Sequence, residues 1–513
     1  MQTFTSLTSS SRGLPLVAAF VFFGSLVLYA LTLAPGLLWG GGDFATFQTY
    51  AYLRTIEVPG GIFGHPLWVI LAHPFTFLPF RDVAWRANFA AAVFAAGALG
   101  VVFLSASYLT KSRLAALLGA GALGLSHTFW TYAVMPKVYS LNALLLALCS
   151  YLLLRWRDKQ QDRYLYLFAF LYGLSFLNHL VMVTVAAGFG GFVVIVLWQR
   201  CQFSKVWPPL LLSGLLFGLG FAPYLYLLFH GASASSAGET GLAFLKGLAY
   251  PLSNPQAMLK GLGFGGLLGV YQFPISTLFG MVGVFFLWRR DRAVATLIIL
   301  GMLGTLAFML AALDPAAGST YVWNLHYYLQ AYVVFSLAIA GGLGVVLVDW
   351  CARSARRQAV LIAVTLAFPV LLYAAAPSVA RTFLQNLPDF RQLPGRDNLV
   401  YVLSPWKQQE TGARDLGQDV LRTLPPNSVF IADYSVWAVI RYLQVVEKAR
   451  PDVELVELPG PGQQAPILLR YRNAPNLFLA DTYRYYDLQD IQDLFEVIPA
   501  GSVYRLEKKQ TLN

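Results

Sequence analysis

The chain has 513 residues, of which 57% are hydrophobic and only 12% charged, where a soluble domain carries about a quarter charged residues; a single water-soluble globule is excluded. The net charge of +11 would suit a nucleic-acid partner, but its distribution excludes that as well. Residues 1–376 hold 21 Lys and Arg against 9 Asp and Glu, whereas residues 377–513 hold 15 against 16. An excess confined to the apolar part belongs to topology-setting loops rather than to a phosphate-binding patch.

In chain order, apolar runs of at least 17 residues recur from Leu14 to Ala376, each able to cross about 30 Å of hydrocarbon at about 1.5 Å per residue. The first, Leu14 to Ala34, is too long for a signal-peptide core and reads as a retained span. A long loop, residues 36–82, follows. Its apolar stretch Ile62 to Phe80 is broken by His65, Pro66, His73, Pro74 and Pro79 and reads as re-entrant or interfacial helices. Further spans are expected near residues 83–109, 114–126, 138–154, 164–178, 181–199, 207–229, 263–288, 293–313, 325–348 and 358–376, about eleven in all. This arrangement puts 15 loop Lys and Arg on the side of the N-terminus and only Arg54, Arg81, Arg86, Lys137, Lys246 and Lys260 opposite. Positive loops stay cytoplasmic. The first loop and the part after residue 376 are therefore expected on the exoplasmic side. No Asn-x-Ser/Thr sequon occurs, which favours a bacterial inner membrane and a periplasmic tail.

After Pro377 charges become frequent and apolar runs shrink to strand length, so a domain boundary is placed there: 1–376 in the membrane, 377–513 a small exoplasmic α/β domain. Ser428 to Ala432 reads as a strand, Val436 to Lys448 as a helix, and Asp452 to Leu458 and Leu477 to Ala480 as strands, giving a partly parallel sheet. The domain has no Gly-rich phosphate loop, no Cys/His metal spacing and no nucleophile elbow, and is read as binding or positioning. Cys149, Cys201 and Cys351 lie in or beside spans, so the tail has no disulfide framework.

On this topology the polar residues able to do chemistry gather on one face: Asp43 and His65 in the first loop, His127 and Lys137 near the second, then Asn178, His179, Asp314, Asn324 and His326. Ionisable groups at membrane depth are costly and mark sites or pathways. Asp43 ends the run Gly40-Gly41-Gly42. It admits two readings, the N-cap of a helix starting near Phe44 or a general base. Lys137, His179, His326 and Arg54 are the exoplasmic cations or donors available to a phosphate, although Lys137 could equally snorkel to the interface. No acidic cluster suited to Mg²⁺ or Mn²⁺ is present, and no metal or cofactor is expected.

Several motifs fall in order along the chain: Gly42-Asp43, Gly64-His65-Pro66, Leu78-Pro79 and Trp85-Arg86-Ala87-Asn88; Phe129-Trp130-x-x-Ala133 with Val138-Tyr139-x-Leu141-Asn142; Gly173-Leu174-Ser175-x-x-x-Asn178-His179; Tyr327-Tyr328-Leu329-x-Ala331-Tyr332; and, in the tail, Leu424-Pro425, Tyr442-Leu443-Gln444 and Arg450-Pro451-Asp452-Val453. Together they resemble a GT-C glycosyltransferase family that includes a transmembrane protein O-mannosyltransferase acting on immunoglobulin-like IPT domains. The resemblance implies a polytopic GT-C-like bundle and inverting transfer of a sugar from a polyprenyl- or dolichyl-phosphate carrier to an exoplasmic protein or glycan. It assigns Asp43 as base or acceptor-orienting group, and it adds Tyr139, Asn178 and His65 to the residues expected to line the site. The chain departs from the family pattern in three places. Ala45-Thr46 stands where a second acid is usual, Lys137 where Glu precedes Val-Tyr, and His326 where Arg precedes the late Tyr-Leu motif.

Two other classes also call for many spans. A transporter or flippase of a lipid-linked saccharide would carry inverted repeats, and the two halves share no spacing of broken helices. A non-enzymatic scaffold leaves the gathered Asp and His residues without a purpose.

Overall fold

The computed structural model describes residues 13–41, 43–55, 65–200, 207–230, 255–312, 324–351, 354–384 and 391–509. Expectations resting on Gly42, Gly64, Cys201, Lys246 and Asp314 lie outside the described residues.

Helix α1 (Leu14–Thr32) leads into the first loop, which carries α2 (Phe44–Leu53) and α3 (Pro66–Ala72). The bundle continues with α4 (Val83–Thr110), α5 (Arg113–Gly124), α6 (His127–Ala133), α7 (Tyr139–Lys159), α8 (Asp162–Ser175) and α9 (Ala186–Arg200). It is completed by α10 (Trp207–His230), α11 (Pro255–Gln272), α12 (Ser276–Arg290), α13 (Arg292–Ala312), α14 (Leu329–Asp349) and α15 (Ala355–Arg381). Helices thus stand at all eleven places where spans are expected. Among the described residues, however, eight are long and apolar enough to cross a membrane alone, or nine if α11 and α12, bent by 106°, form one span. The difference lies in α5 and α8, whose 12 and 14 residues fall short of the hydrocarbon thickness. The chain is an integral, multi-pass membrane protein.

Burial sorts the helices as a lipid solvent requires. On α1 the exposed Leu16, Phe20, Phe23, Val27 and Leu31 form one stripe at helical spacing, facing lipid. Helix α14 is buried on every side from Leu329 to Gly344 and forms the axis of the bundle. Because lipid offers no hydrophobic drive between helices, backbones approach through small residues. A Cβ on Gly283 of α12 would lie 1.8 Å from the Ala338 carbonyl oxygen, and one on Gly342 of α14 would lie 1.9 Å from that of Phe279. Gly173 and Gly220 make the same reciprocal contact between α8 and α10.

The two ends of the bundle differ. At one, Arg157 pairs with Asp158 and Asp291, and Arg200 donates to the carbonyls of Trp156 and Arg157. At the other stand α2, α3, α6 and everything after α15. Pro377 lies inside α15, which runs on to Arg381. Beyond it the chain folds back on the bundle. The backbone N–H of Lys407 donates to the Thr32 carbonyl at 2.9 Å, and its buried ammonium donates to the carbonyls of Tyr401 and Ser404.

After α16 (Asn398–Leu403) and α17 (Gly412–Thr423), the tail is a five-stranded mixed sheet. Strand β1 (Val429–Ala432), α18 (Tyr434–Val446) and β2 (Glu454–Glu457) are followed by α19 (Ala465–Arg470) and β3 (Leu477–Leu479). Then come α20 (Leu488–Leu494) and the hairpin β4 (Phe495–Ala500) and β5 (Val503–Lys508). The order is β2-β1-β3-β5-β4, parallel in the first three and antiparallel in the rest. The core over one face of this sheet is shared with the first loop, since Leu37, Trp39, Ala45 and Ala84 bury among Val436, Val439 and Tyr442.

Candidate active site

The seam between bundle and tail encloses a cavity of about 640 Å³. Its floor comes from the first loop and the ends of α7 and α14, and its roof from the tail. The roof follows from topology. In an open sheet with parallel strands, ligands bind beyond the carboxyl ends, at the point where strand order switches. Asp433, Tyr434 and Ser435 follow β1, and Tyr483 and Tyr485 follow β3; all five line the cavity. Arg391 spans the switch point, pairing with Asp433 at 2.7 Å and with Asp481. These carboxylates hold its guanidinium firmly charged against the cost of burial.

Asp43 reaches the floor through a tight turn. Its N–H donates to the Gly40 carbonyl at 2.6 Å, and its backbone is left-handed with φ 63°, a conformation that short polar residues tolerate. The carboxylate makes no capping bond to α2. Instead Oδ2 accepts from Lys137 Nζ at 2.8 Å and Oδ1 from the Tyr434 hydroxyl at 3.1 Å, with the side chain half-exposed to the cavity. Burial alone would raise its pKa, but the Lys137 charge and the two hydrogen bonds outweigh this and lower it.

Lys137 sits on the link between α6 and α7, after Pro136, whose missing N–H interrupts helical bonding. Its ammonium is held near the rings of Phe44, Phe47 and Tyr139 at 5.9, 5.1 and 6.0 Å, and its side chain is only 9% exposed. It therefore faces inward and does not snorkel.

The histidines form a second wall. His65, left-handed at φ 49°, places Nδ1 at 2.7 Å from the Asn178 carbonyl, so Nδ1 carries the proton. Its ring stacks on His179 at 4.8 Å. His179 Nδ1 accepts from the Val181 N–H, so its proton is on Nε2. Burial keeps both rings neutral, His65 pushed down to about 4 and His179 also well lowered. His179 is thus a neutral donor, one of the two roles open to it from the sequence. His326 stacks on Tyr139 at 4.0 Å and has Nδ1 at 3.0 Å from the Tyr132 hydroxyl.

Asp43, His65, Lys137, Tyr139, His179, Asn324 and His326 thus line one cavity. Asn178 braces it from behind, donating to Asn142 Oδ1 and the Val138 carbonyl. Arg54 is not brought there. It caps the far end of α2, one ten-residue helix from Asp43, and is exposed to solvent. His127 packs elsewhere, against Tyr271 and Tyr373. A smaller cavity of about 280 Å³ adjoins the first; it shares His65, His179 and Tyr327 and is otherwise mostly apolar, with Pro66, Phe176, Leu177, Leu180 and Leu227.

Tyr434, Arg391, Asp433, Tyr483 and Tyr485 were not singled out from the sequence, although the end of the first predicted tail strand was a signal for Asp433 and Tyr434. Among the described residues, no group of three or more His, Cys, Asp or Glu side chains is placed to hold a metal ion.

A membrane bundle of this kind, roofed by a small α/β domain over a polar cavity, is a GT-C fold. The chain is similar throughout to ArnT from Cupriavidus metallidurans, both bound to undecaprenyl phosphate (TM-score 0.59, 13% identity) and in the apo state (TM-score 0.57, 14% identity), covering 98% of this chain and 100% of ArnT in each case. Residues 59–202 match the family model described as the Protein O-mannosyl-transferase TMEM260 N-terminal domain. The mouse Protein O-mannosyl-transferase TMEM260 is 29% identical over 214 residues, which is 40% of this chain and 29% of the mouse protein's length. The resemblance seen in the motifs is therefore also found by sequence comparison, over residues 59–202 for the family model and 40% of the chain for the mouse protein.

Proposed function

We propose that this protein is a glycosyltransferase moving a sugar, mannose in the first instance, from a polyprenyl-phosphate carrier to a hydroxyl of an exoplasmic protein or glycan. The observation that carries the reading is the carboxylate of Asp43, open to the cavity yet ionised by Lys137, as a general base must be. The acceptor oxygen attacks the anomeric carbon and gives its proton to Asp43. The bond from that carbon to the phosphate oxygen breaks on the opposite side, its electron pair leaving with the phosphate, and the configuration inverts.

Negative charge then grows on the phosphate, and pre-placed donors stabilise it where water is scarce. Lys137 lines the larger cavity and His179 lines both; we assign the ammonium of the one and the Nε2–H of the other to this stabilisation. The adjoining apolar cavity suits the first isoprene units. Lys137 pairs with Asp43 at 2.8 Å, and we assign charge neutralisation to this cation of the chain. The uneven Lys and Arg distribution supports an exoplasmic cavity, periplasmic in a bacterium and lumenal in a eukaryotic cell.

The test is direct. Purified protein is incubated with radiolabelled polyprenyl-phosphate mannose, and in parallel with other polyprenyl-phosphate sugars, in the presence of a protein extract from the exoplasmic compartment. Label moving from lipid to protein supports the reading; unconsumed donor in every arm removes it.

A further inference from the structure

The carboxylate of Asp43 is gripped from both domains. Lys137 holds Oδ2 from the membrane part, and the Tyr434 hydroxyl, 391 residues away in sequence, holds Oδ1 from the tail. The same hydroxyl lies 2.6 Å from Thr46 Oγ1. A phenol has one proton to give, and burial with Asp43 nearby keeps that proton on Tyr434. If it points to Asp43, the threonine must be the donor in the other bond. The chain then runs one way, from the Thr46 hydroxyl to the Tyr434 oxygen and from the Tyr434 hydroxyl to the carboxylate, and each bond polarises the next. An ionised acid at position 46 could not donate; it would compete with Asp43 for the tyrosine's proton. A threonine directs that proton to one carboxylate only.

We propose that Tyr434 is a positioning residue for Asp43, fixing the carboxylate from the docked tail with Thr46 setting the direction of its hydrogen bond, so that the base is complete only when the two domains are closed. This rests on the reading of Asp43 as the base. It gives the tail a part in the chemistry through a group that touches no reacting atom itself.

Tyr434→Phe keeps the ring, which stacks on Trp437 at 6.2 Å, and removes one hydroxyl. A hydrogen bond to a charged group is worth on the order of tenfold in rate or more, so kcat with polyprenyl-phosphate mannose should fall about tenfold, with donor KM changed little. The acid limb of the pH–rate profile should also move to higher pH, because the carboxylate loses a bond that lowers its pKa. Besides Tyr434, the titratable groups facing Asp43 are Lys137, His65, Tyr50, Tyr132, Tyr139 and Tyr327. Even a free tyrosine titrates at about 10, far above the acid limb, and the substitution leaves Lys137 and His65 in place. Thr46→Val should lower kcat less and in the same sense, and should add nothing in the Tyr434→Phe background, since the two act through one bond.

Wild-type kcat and an unmoved acid limb in Tyr434→Phe would overturn the proposal, as would losses that simply add in the double variant. If Tyr434→Phe fails to fold, Thr46→Val decides alone: an unchanged rate and profile overturn the proposal, and a lowered rate with a raised acid limb supports it. Asp43→Asn, run alongside, separates the two readings. Its full activity removes base and positioning residue together, whereas an inactive Asp43→Asn beside a wild-type-like Tyr434→Phe removes only the positioning role.

Discussion

Lys137 Nζ lies 2.8 Å from Asp43 Oδ2, joining a loop after the first span to the link between α6 and α7 and setting acid and cation side by side in the cavity. Asp43→Asn should abolish transfer while leaving the fold nearly intact. The carboxylate caps no helix, so no cap is lost, and the near-isosteric amide keeps one oxygen to accept from Lys137 or Tyr434. It cannot take a proton at neutral pH. A positioned general base contributes about 10² to 10⁴ in rate, and a radiolabel assay read beside a thermal melt checks both halves. An active variant would pass the base role to Asp314, an acid that the sequence places beside a span end on this side.

Lys137→Met removes a cation from the donor site and from the base at once. The donor requirement should rise and kcat/KM should fall by about 10². The pH dependence has a definite sign. Asp43 works as carboxylate, and its pKa is held below the ordinary value by Lys137 against burial. Without the ammonium the pKa rises, so activity is lost at higher pH on acidification than in the wild type. The stability that the native pair adds is present above the unfolded carboxyl's value, about 3.9, and is lost as pH falls through the lower folded one. A rate profile from pH 4 to 8 checks the shift; an unmoved acid limb would show that Lys137 does not act on Asp43.

Sidedness can be read with a thiol reagent that does not cross membranes. Gln463 is exposed on the tail. Gln463→Cys in a cysteine-free background should label in intact cells, or in sealed lumenal-side-out vesicles for a eukaryotic host. Labelling only after permeabilisation would reverse the orientation of the cavity.

Gly342→Ala should lower the melting temperature in detergent or reduce the folded yield. Its new Cβ would sit 1.9 Å from the Phe279 carbonyl oxygen, and backbones forced apart at a packed crossing cost about 1–3 kcal/mol. Gly190→Ala on the outer face of α9, with no atom within 4 Å of the added carbon, is the matched control and should melt as the wild type does. Equal melting of the two would mean that the α12–α14 crossing is looser than described.

Much of the architecture was legible because lipid is a simple solvent: a run of apolar residues of sufficient length marks each helix. That rule overstates α5 and α8, where apolar composition without length produces buried half-helices. In the tail, β1, α18, β2 and β3 were visible through their patterns. The hairpin β4–β5 was passed over; β4 holds Pro499, which is tolerated because β4 is the edge of the sheet. The cavity was half legible. Asp43, His65, Lys137, His179 and His326 share a side of the membrane, which topology reveals. Tyr434 and Arg391 join them only through the docking of a domain nearly four hundred residues downstream, and no local pattern encodes that meeting. Arg54 was expected there as an exoplasmic cation, but sharing a side of the membrane ignores the rise of α2 between it and Asp43, about 1.5 Å per residue.

Gly40, three residues before Asp43, changes meaning in three dimensions. From sequence, Gly40 looked like slack in a loop. In the folded chain its N–H donates to the Ser435 carbonyl at 2.9 Å, and a Cβ there would lie 2.2 Å from the Tyr434 carbonyl oxygen. The bundle and its roof are therefore fitted main chain to main chain, like a lid on a ground-glass joint, at the residues that flank the acid and the tyrosine. One methyl group at position 40 would act as a wedge, so a mutational scan scored on product alone would rank this residue with the cavity's polar groups, although it does not line the cavity.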